Sequence, residues 1–270
     1  MEQILVNSEG AIRLAAFGGL LALFVAAEAV WPRRARAQHR TRRWSTNLLM
    51  SVLNTLALRV AVPVLAVGAA AWAQQADVGV FNKIEIPGWL AFGVTMVLLD
   101  VVIYAQHVVF HHVPILWRIH RVHHADRDID VTTALRFHPI EIIISMGIKI
   151  GLVIALGAPP AAVIVFEVVL NAMAMFNHAN LRLPAALDRV LRAVVVTPDM
   201  HRVHHSVRMA ETNSNFGFNL SVWDRIFRTY TSQPQDGHTE MIIGLETYQD
   251  DRPARLGFTL WLPFVRDQAK

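Results

Sequence analysis

Apolar positions gather into five long stretches, residues 11–30, 47–73, 88–110, 139–157 and 160–177, separated by polar segments rich in arginine. Each is long enough, or nearly so, to cross a hydrocarbon core of about 30 Å, which takes about 20 helical residues. The last two stretches are joined only by Ala158 and Pro159, which predicts a re-entering hairpin. The first resembles a signal peptide, because Ala27-Glu28-Ala29 looks like a cleavage site. Its leading segment, however, carries Glu2 and Glu9 in place of positive charge, and an arginine run follows it. It is therefore expected to be a retained helix. The residues from His178 to about Tyr230 are not apolar enough to span and predict helices packed beneath the bundle. Residues 256–265 predict a terminal interfacial segment. The expected fold is all-α, an integral membrane bundle of four to five transmembrane helices with a cytosolic helical cap carrying the histidines.

Composition sharpens this picture. Of 270 residues, 54% are hydrophobic and 17% charged, against about 25% charged in ordinary soluble domains. With no cysteine, disulfides, iron–sulfur clusters, thiolate haem, cysteine zinc sites and cysteine nucleophiles are excluded. The net charge of +4 comes almost wholly from arginine, since Lys83, Lys149 and Lys270 are the only lysines. These arginines flank apolar stretches, which points to lipid headgroups and topology and not to nucleic acid. Arg33, Arg34, Arg36, Arg40, Arg42 and Arg43 follow the first stretch, and Arg118, Arg121, Arg127 and Arg136 follow the third. The positive-inside rule places both loops, and the arginine-rich segment after residue 177, in the cytosol, with an external N-terminus. Trp31, Trp44, Trp89, Trp117 and Trp223 are placed to act as interface anchors.

The chemistry lies in the histidines. Eleven of thirteen fall between residues 107 and 205, ten of them besides His112. His107 and His111 stand at i, i+4 on one helical face, which Asp100 and Tyr104 share. His120-Arg-Val-His123-His124 is repeated to the letter by His201-Arg-Val-His204-His205. In each, i, i+3 and i+4 can converge three imidazoles on one point. His138 and His178 stand between these clusters, their assignment evenly balanced, while His39, His112 and His238 are expected to be ordinary interface residues. Eight clustered imidazoles beside apolar helices would repel one another if charged and lack partners if neutral. A metal removes both problems, since neutral imidazole is a preferred metal ligand. Eight to ten histidines overfill one ion and suit two. Zinc, copper, nickel and iron all accept imidazole, so the ligands leave the metal open. No Glu-x-x-His pair of soluble di-iron bundles and no His-Glu-x-x-His motif occurs.

The ordered set His107-x3-His111, His120-x2-His123-His124, His138-Pro-x-Glu141 and His201-x2-His204-His205, closed by Trp223-Asp-Arg-Ile-Phe-Arg-Thr229, resembles the fatty acid hydroxylase/sterol desaturase superfamily. The likeness runs from about Leu98 to Tyr230. It divides the chain into N-terminal transmembrane helices and basic loop (1–97), a di-metal domain (98–230) and a C-terminal tail (231–270). Arg228 stands where relatives usually carry glycine, and Arg182 stands four residues after His178, where they commonly carry a second histidine.

The resemblance implies a membrane-bound di-iron oxygenase that uses O2 to hydroxylate a C–H bond of a lipid. The ligands it implies are His107, His111, His120, His123, His124, His138, His178, His201, His204 and His205. Asp100, Glu141, Asn177, Asn180 and Asp199 are the expected acceptors for the outer N–H groups of those imidazoles, or else ordinary caps and polar contacts. Two iron ions would be the cofactors. A separate donor, cytochrome b5-like or a ferredoxin with its reductase, would supply electrons, because the core occupies the 270 residues. The membrane would be a bacterial inner membrane or an ER-like one. Desaturation by the same metals, a haem-binding membrane cytochrome and a non-catalytic metal-binding protein are the alternatives. Inside the spans, Arg59, Asp100, Lys149 and Glu167 are costly unless paired. Matching depths predict the pairs Lys149–Glu167 and Arg59–Asp100, with contact to a substrate headgroup as the other role for Lys149 or Arg59.

Overall fold

The computed structural model describes residues 8–266; Glu2, part of the expected leading segment, lies outside them. Regular structure among the described residues is helical, with isolated bridges and no strand. Five helical stretches are long and apolar enough to cross a membrane. They are α1 (Glu9–Val30), then α2 (Arg40–Ala61) continued by α3 (Ala66–Gln75), then α4 (Gly88–His112). After α4 comes the amphipathic α5 (Pro114–His124), followed by the spans α6 (Pro139–Leu156) and α7 (Pro160–His178).

Local chemistry sets these boundaries. Proline opens α5, α6 and α7, where a missing N–H costs nothing and the fixed φ suits the first turn. Pro63 breaks the second expected stretch by forcing Val62 out of helical geometry (φ −130°, ψ 89°). The chain then re-enters as α3, whose buried Ala66, Ala69, Ala70 and Ala73 pack on α6 and α7. Gly157 ends α6 at φ +65°, and a Cβ there would stand 2.6 Å from the Asn82 amide. The predicted hairpin thus turns on a glycine.

Leu99, Ile103, Met146, Val153, Ile164 and Phe166 form the core between the spans. Lys149 donates to Glu167 at 2.7 Å, as depth predicted. Arg13 of α1, which that expectation did not include, joins the same carboxylate at 2.9 Å. The Arg59–Asp100 pair does not form. Arg59 is exposed, and Asp100 instead accepts the indole N–H of Trp223 and the backbone N–H of Leu220. The depth argument fails there because it says nothing about the direction a side chain faces around its helix.

Beneath the spans lies a cap of short helices: α8 (Ala185–Leu191), α9 (Pro198–His204), α10 (Met209–Thr212), α11 (Val222–Ile226), α12 (Gly237–Glu240) and α13 (Leu256–Trp261). Residues 231–266 pack into this same body: Pro253 O accepts from Arg136, Ala254 O from Thr46, and Leu262 O from Arg121. Of the expected anchors, Trp31 and Trp89 are exposed. Trp44 and Trp223 instead donate to Asp130 and Asp100, and Trp117 lies against His111. A buried polar knot fixes the segment after α5. In it Arg43 of α2 donates to Asp126 at 2.6 Å, and Asn47 reaches Asp126 and Thr132.

Candidate metal centre

Nine of the ten candidate histidines meet in two adjoining buried groups. His107, His111, His120, His124 and His204 form one, and His123, His178, His201 and His205 the other. Within each group the ligand-capable atoms all lie within 4.8 Å of one another. The groups share a wall, where the rings of His124 and His205 stack at 4.6 Å between centroids.

The two His-Arg-Val-His-His segments do not each converge on one point, as spacing allowed. Each divides between the groups, in opposite senses. His120 and His124 serve the first group while His123 serves the second; His201 and His205 serve the second while His204 serves the first. Helical geometry gives the reason: i and i+4 overlie each other on one face, whereas i+3 points to the other side of that line. α4 adds His107 and His111 to the first group, and the last residue of α7 adds His178 to the second.

Hydrogen bonding fixes how these rings present themselves. His107 Nδ1 donates to Phe216 O at 2.8 Å, His204 Nδ1 to Ser214 O at 2.7 Å and His178 Nδ1 to Ala174 O at 2.7 Å. A carbonyl only accepts, so the proton of each neutral ring sits on Nδ1 and Nε2 carries a lone pair. Yet His204 Nε2 lies 3.0 Å from His107 Nε2, and His178 Nε2 lies 3.0 Å from His123 Nε2 and 3.1 Å from His201 Nε2. For His107 and His204 these are facing lone pairs, which a cation between them would satisfy; in the second group the single lone pair of His178 Nε2 faces two rings at once. Two nitrogens bound at about 2.1 Å to one ion, at right angles, stand about 3 Å apart. Both ring nitrogens of His124 and of His205, and Nε2 of His111, are buried without a hydrogen-bond partner, so each ring has a lone pair free to face an ion. Charging the rings with extra protons is disfavoured. Burial pushes His204 down to about 3, the Ser214 carbonyl offsetting this and neighbouring imidazoles adding to it. Burial and the same mutual repulsion push His123, His124, His201 and His205 well below the usual histidine range. The residues fit a nitrogen-ligated transition metal in each group.

Among the five expected outer acceptors, Glu141 touches an imidazole: its Oε1 accepts from His120 Nδ1 at 2.7 Å. The other four do other work. Asp100 holds Trp223, Asn177 donates to Phe218 O, Asn180 bonds the backbone of Arg34, and Asp199, in the first turn of α9, pairs with Arg33 and Arg202. His138 joins neither group. Its Nδ1 accepts from Ile140 N and caps α6, and its Nε2 faces Leu260 O. His-Pro at a helix start is a cap geometry, which accounts for its place in the motif. The Arg182 side chain likewise belongs to neither group. Sequence reasoning missed Asn213, whose Oδ1 stands 3.2 Å from His111 Nδ1, and the backbone carbonyls of Phe216, Ser214 and Ala174. Every residue carries a carbonyl, so no letter marks these.

The closing motif acts as a clamp. Asp224 accepts from the backbone N–H of Phe216 and Gly217 at 2.7 and 2.9 Å, and from Thr229 Oγ1 at 2.7 Å. It thereby sets the loop whose carbonyl orients His107. Burial raises the Asp224 carboxyl to about 6, and those three donors pull it back. Arg228, at the position expected to hold glycine, adopts φ +60°.

A cavity of about 270 Å³ opens between the spans beside the first group. His107, His120 and Glu141 line one end, Ile103, Phe110, Leu135, Phe137 and Phe218 its apolar walls, and Lys149, Glu167 and Arg13 the far end.

A bundle of apolar spans over a buried double cluster of imidazoles defines an integral membrane protein of the histidine-box class. The fatty acid hydroxylase model matches residues 92–229, just over half of the chain, and the chain belongs to that family. It is 30% identical over 156 residues to the ornithine lipid hydroxylase OlsE of Rhizobium tropici, covering 57% of this chain and 46% of that one. It is 28% identical over 181 residues to the alkylglycerol monooxygenase of Xenopus tropicalis (63% and 38%). It is 30% identical over 135 residues to the human alkylglycerol monooxygenase (48% and 28%). The matches thus span less than half the length of these relatives. No solved structure matches the chain.

Proposed function

We propose that the protein hydroxylates a C–H bond of a membrane lipid with O2, using two iron ions held by the nine grouped histidines. The observation that carries this reading is the pair of adjoining all-imidazole groups, the first of which opens onto an apolar cavity within the spans. The relatives named for hydroxylating an ornithine lipid and for monooxygenation of alkylglycerols support it. When bound, the irons supply the redox chemistry by which O2 is activated, which side chains alone lack.

The chain's own residues position and shield. The carbonyls of Phe216, Ser214 and Ala174 hold Nδ1–H of three imidazoles and so aim Nε2 inward, and Glu141 does the same for His120. Such outer partners set ring orientation and ligand basicity. Phe110, Phe137 and Phe218 wall the cavity beside His107 and His120, where they exclude water and admit an acyl chain. A separate electron-transfer protein supplies the electrons. The basic loop after α1 supports a cytosolic placement of the centre, since Arg33 pairs with Asp199, two residues before His201, and Arg34 bonds Met241 O. A haem has no slot here: four or five imidazoles around one point leave no plane for a porphyrin.

The test is lipid mass spectrometry on cells with and without the gene, with metal analysis of the purified protein. A lipid gaining one oxygen atom, lost in His204→Ala while that variant still inserts, is expected together with protein-bound iron. A lipid losing two hydrogens would move the assignment to desaturation. Unaltered lipids, or full activity in His204→Ala, would overturn it.

A further inference from the structure

Arg13, Lys149 and Glu167, charged residues within the spans, meet the same cavity as His107 and His120. Glu167 of α7 accepts from Lys149 of α6 on one oxygen and pairs with Arg13 of α1 on the other. Two cations therefore share one carboxylate, and the cavity's other carboxylate, Glu141, stands at the opposite end on His120, so one positive charge lacks a neighbouring anion where a bilayer makes charge costly. A structural pair needs one cation per carboxylate; the second calls for another anion. All three residues line the end of the cavity remote from His107 and His120.

This end is also the open one. Arg13 keeps 31% of its side chain exposed, against 10% for Lys149 and 3% for Glu167. A shallow crevice shares Arg13, Phe17 and Asn171 with the cavity and continues between α1 and α7. Along α6, Glu141, Ser145 and Lys149 all line the cavity at intervals of four. At 1.5 Å per residue, Lys149 stands about 12 Å along the helix from Glu141, whose carboxylate holds His120. The cavity is thus a short apolar tube with a cationic mouth and histidines at its base.

We infer that Arg13 and Lys149, sharing Glu167, form an anion site at the mouth of the cavity that retains the carboxylate of a single-chain lipid while its chain runs to His107 and His120. A monoanion balances the surplus charge. The Arg13 guanidinium, with Nη1 on Glu167, has further N–H donors for a planar two-oxygen group. The site rests on the proposed lipid hydroxylation for its purpose but binds without metal or turnover.

The experiment measures thermal unfolding of the full-length protein in a neutral detergent, titrated with palmitic acid or its methyl ester above the acid's pKa. The acid should bind at least about tenfold more tightly than the ester, the gain expected of a charge-assisted contact. Lys149→Met and Arg13→Gln should each erase that preference. Each leaves Glu167 one cation, so if one variant does not fold, the other carries the test. His204→Ala should keep the preference for the acid while losing lipid product, so a failure of the hydroxylase assignment and a failure of the anion site are separately visible. Equal binding of acid and ester, survival of the preference in a folded variant, or stabilisation by lysophosphatidylglycerol but not by palmitic acid would overturn the proposal.

Discussion

Trp223 donates its indole N–H to Oδ2 of Asp100 across 2.7 Å, tying a short helix of the cap to the middle of a spanning helix. The same oxygen accepts Leu220 N–H. Together with Asp224 this clamps residues 215–221, the loop that presents the Phe216 carbonyl to His107. Trp223→Phe keeps the ring but takes the donor from a buried carboxylate, a loss worth about 1–3 kcal/mol. A lower melting temperature in detergent and reduced metal content are expected; an unchanged melting temperature would show the clamp to be unimportant.

Glu141 acts on the metal centre only through His120. Glu141→Gln should leave the protein folded and weaken metal retention roughly 10- to 100-fold, as loss of such outer partners does. Competition against a graded chelator measures it.

His138 and His204 look alike as letters but differ in place. His138→Ala should cost about 1 kcal/mol through the lost cap of α6 and keep full metal content. His204→Ala should lose metal from the first group. Elemental analysis of the two purified variants separates them, and metal loss in His138→Ala would place that residue back among the ligands.

Arg228 occupies left-handed space that a side chain enters at a cost of about 1–2 kcal/mol. Arg228→Gly relieves it, offset partly by the greater freedom of glycine in the unfolded chain. A small rise in melting temperature is expected, with metal content unaltered.

Metal-free protein should be sensitive to acid. His204 has a folded value of about 3, below the ordinary 6.5 of an unfolded histidine, and His123, His124, His201 and His205 are lowered in the same direction. Between these limits the unfolded chain binds more protons than the folded one, so stability rises with pH. It is fully present above about 6.5 and drains away as pH falls toward about 3. Melting temperatures across that window test the sign; a flat profile would contradict burial of neutral imidazoles.

The spans were readable because hydropathy sums over many neighbouring residues, and α1, α4, α6 and α7 lie close to the apolar runs that predicted them. Pro63 interrupted the second run, through a local rule that the apolar average hides. The Lys149–Glu167 pair was readable from depth, whereas Arg13 was not, because α1 is distant in sequence and its lateral position depends on packing. Asp100 shows the opposite failure: it sits on the expected helix, but its side chain faces the cap and meets Trp223.

By itself, the order of residues determined that this is a helical membrane protein whose imidazoles recur at helical intervals, since both properties follow from short-range periodicity. Only the folded arrangement decided that each His-Arg-Val-His-His segment splits between two groups, that His138 caps a helix, and that carbonyls orient His107, His178 and His204. Those outcomes depend on how separate helices are rotated and set against one another, and on backbone groups that every residue possesses alike.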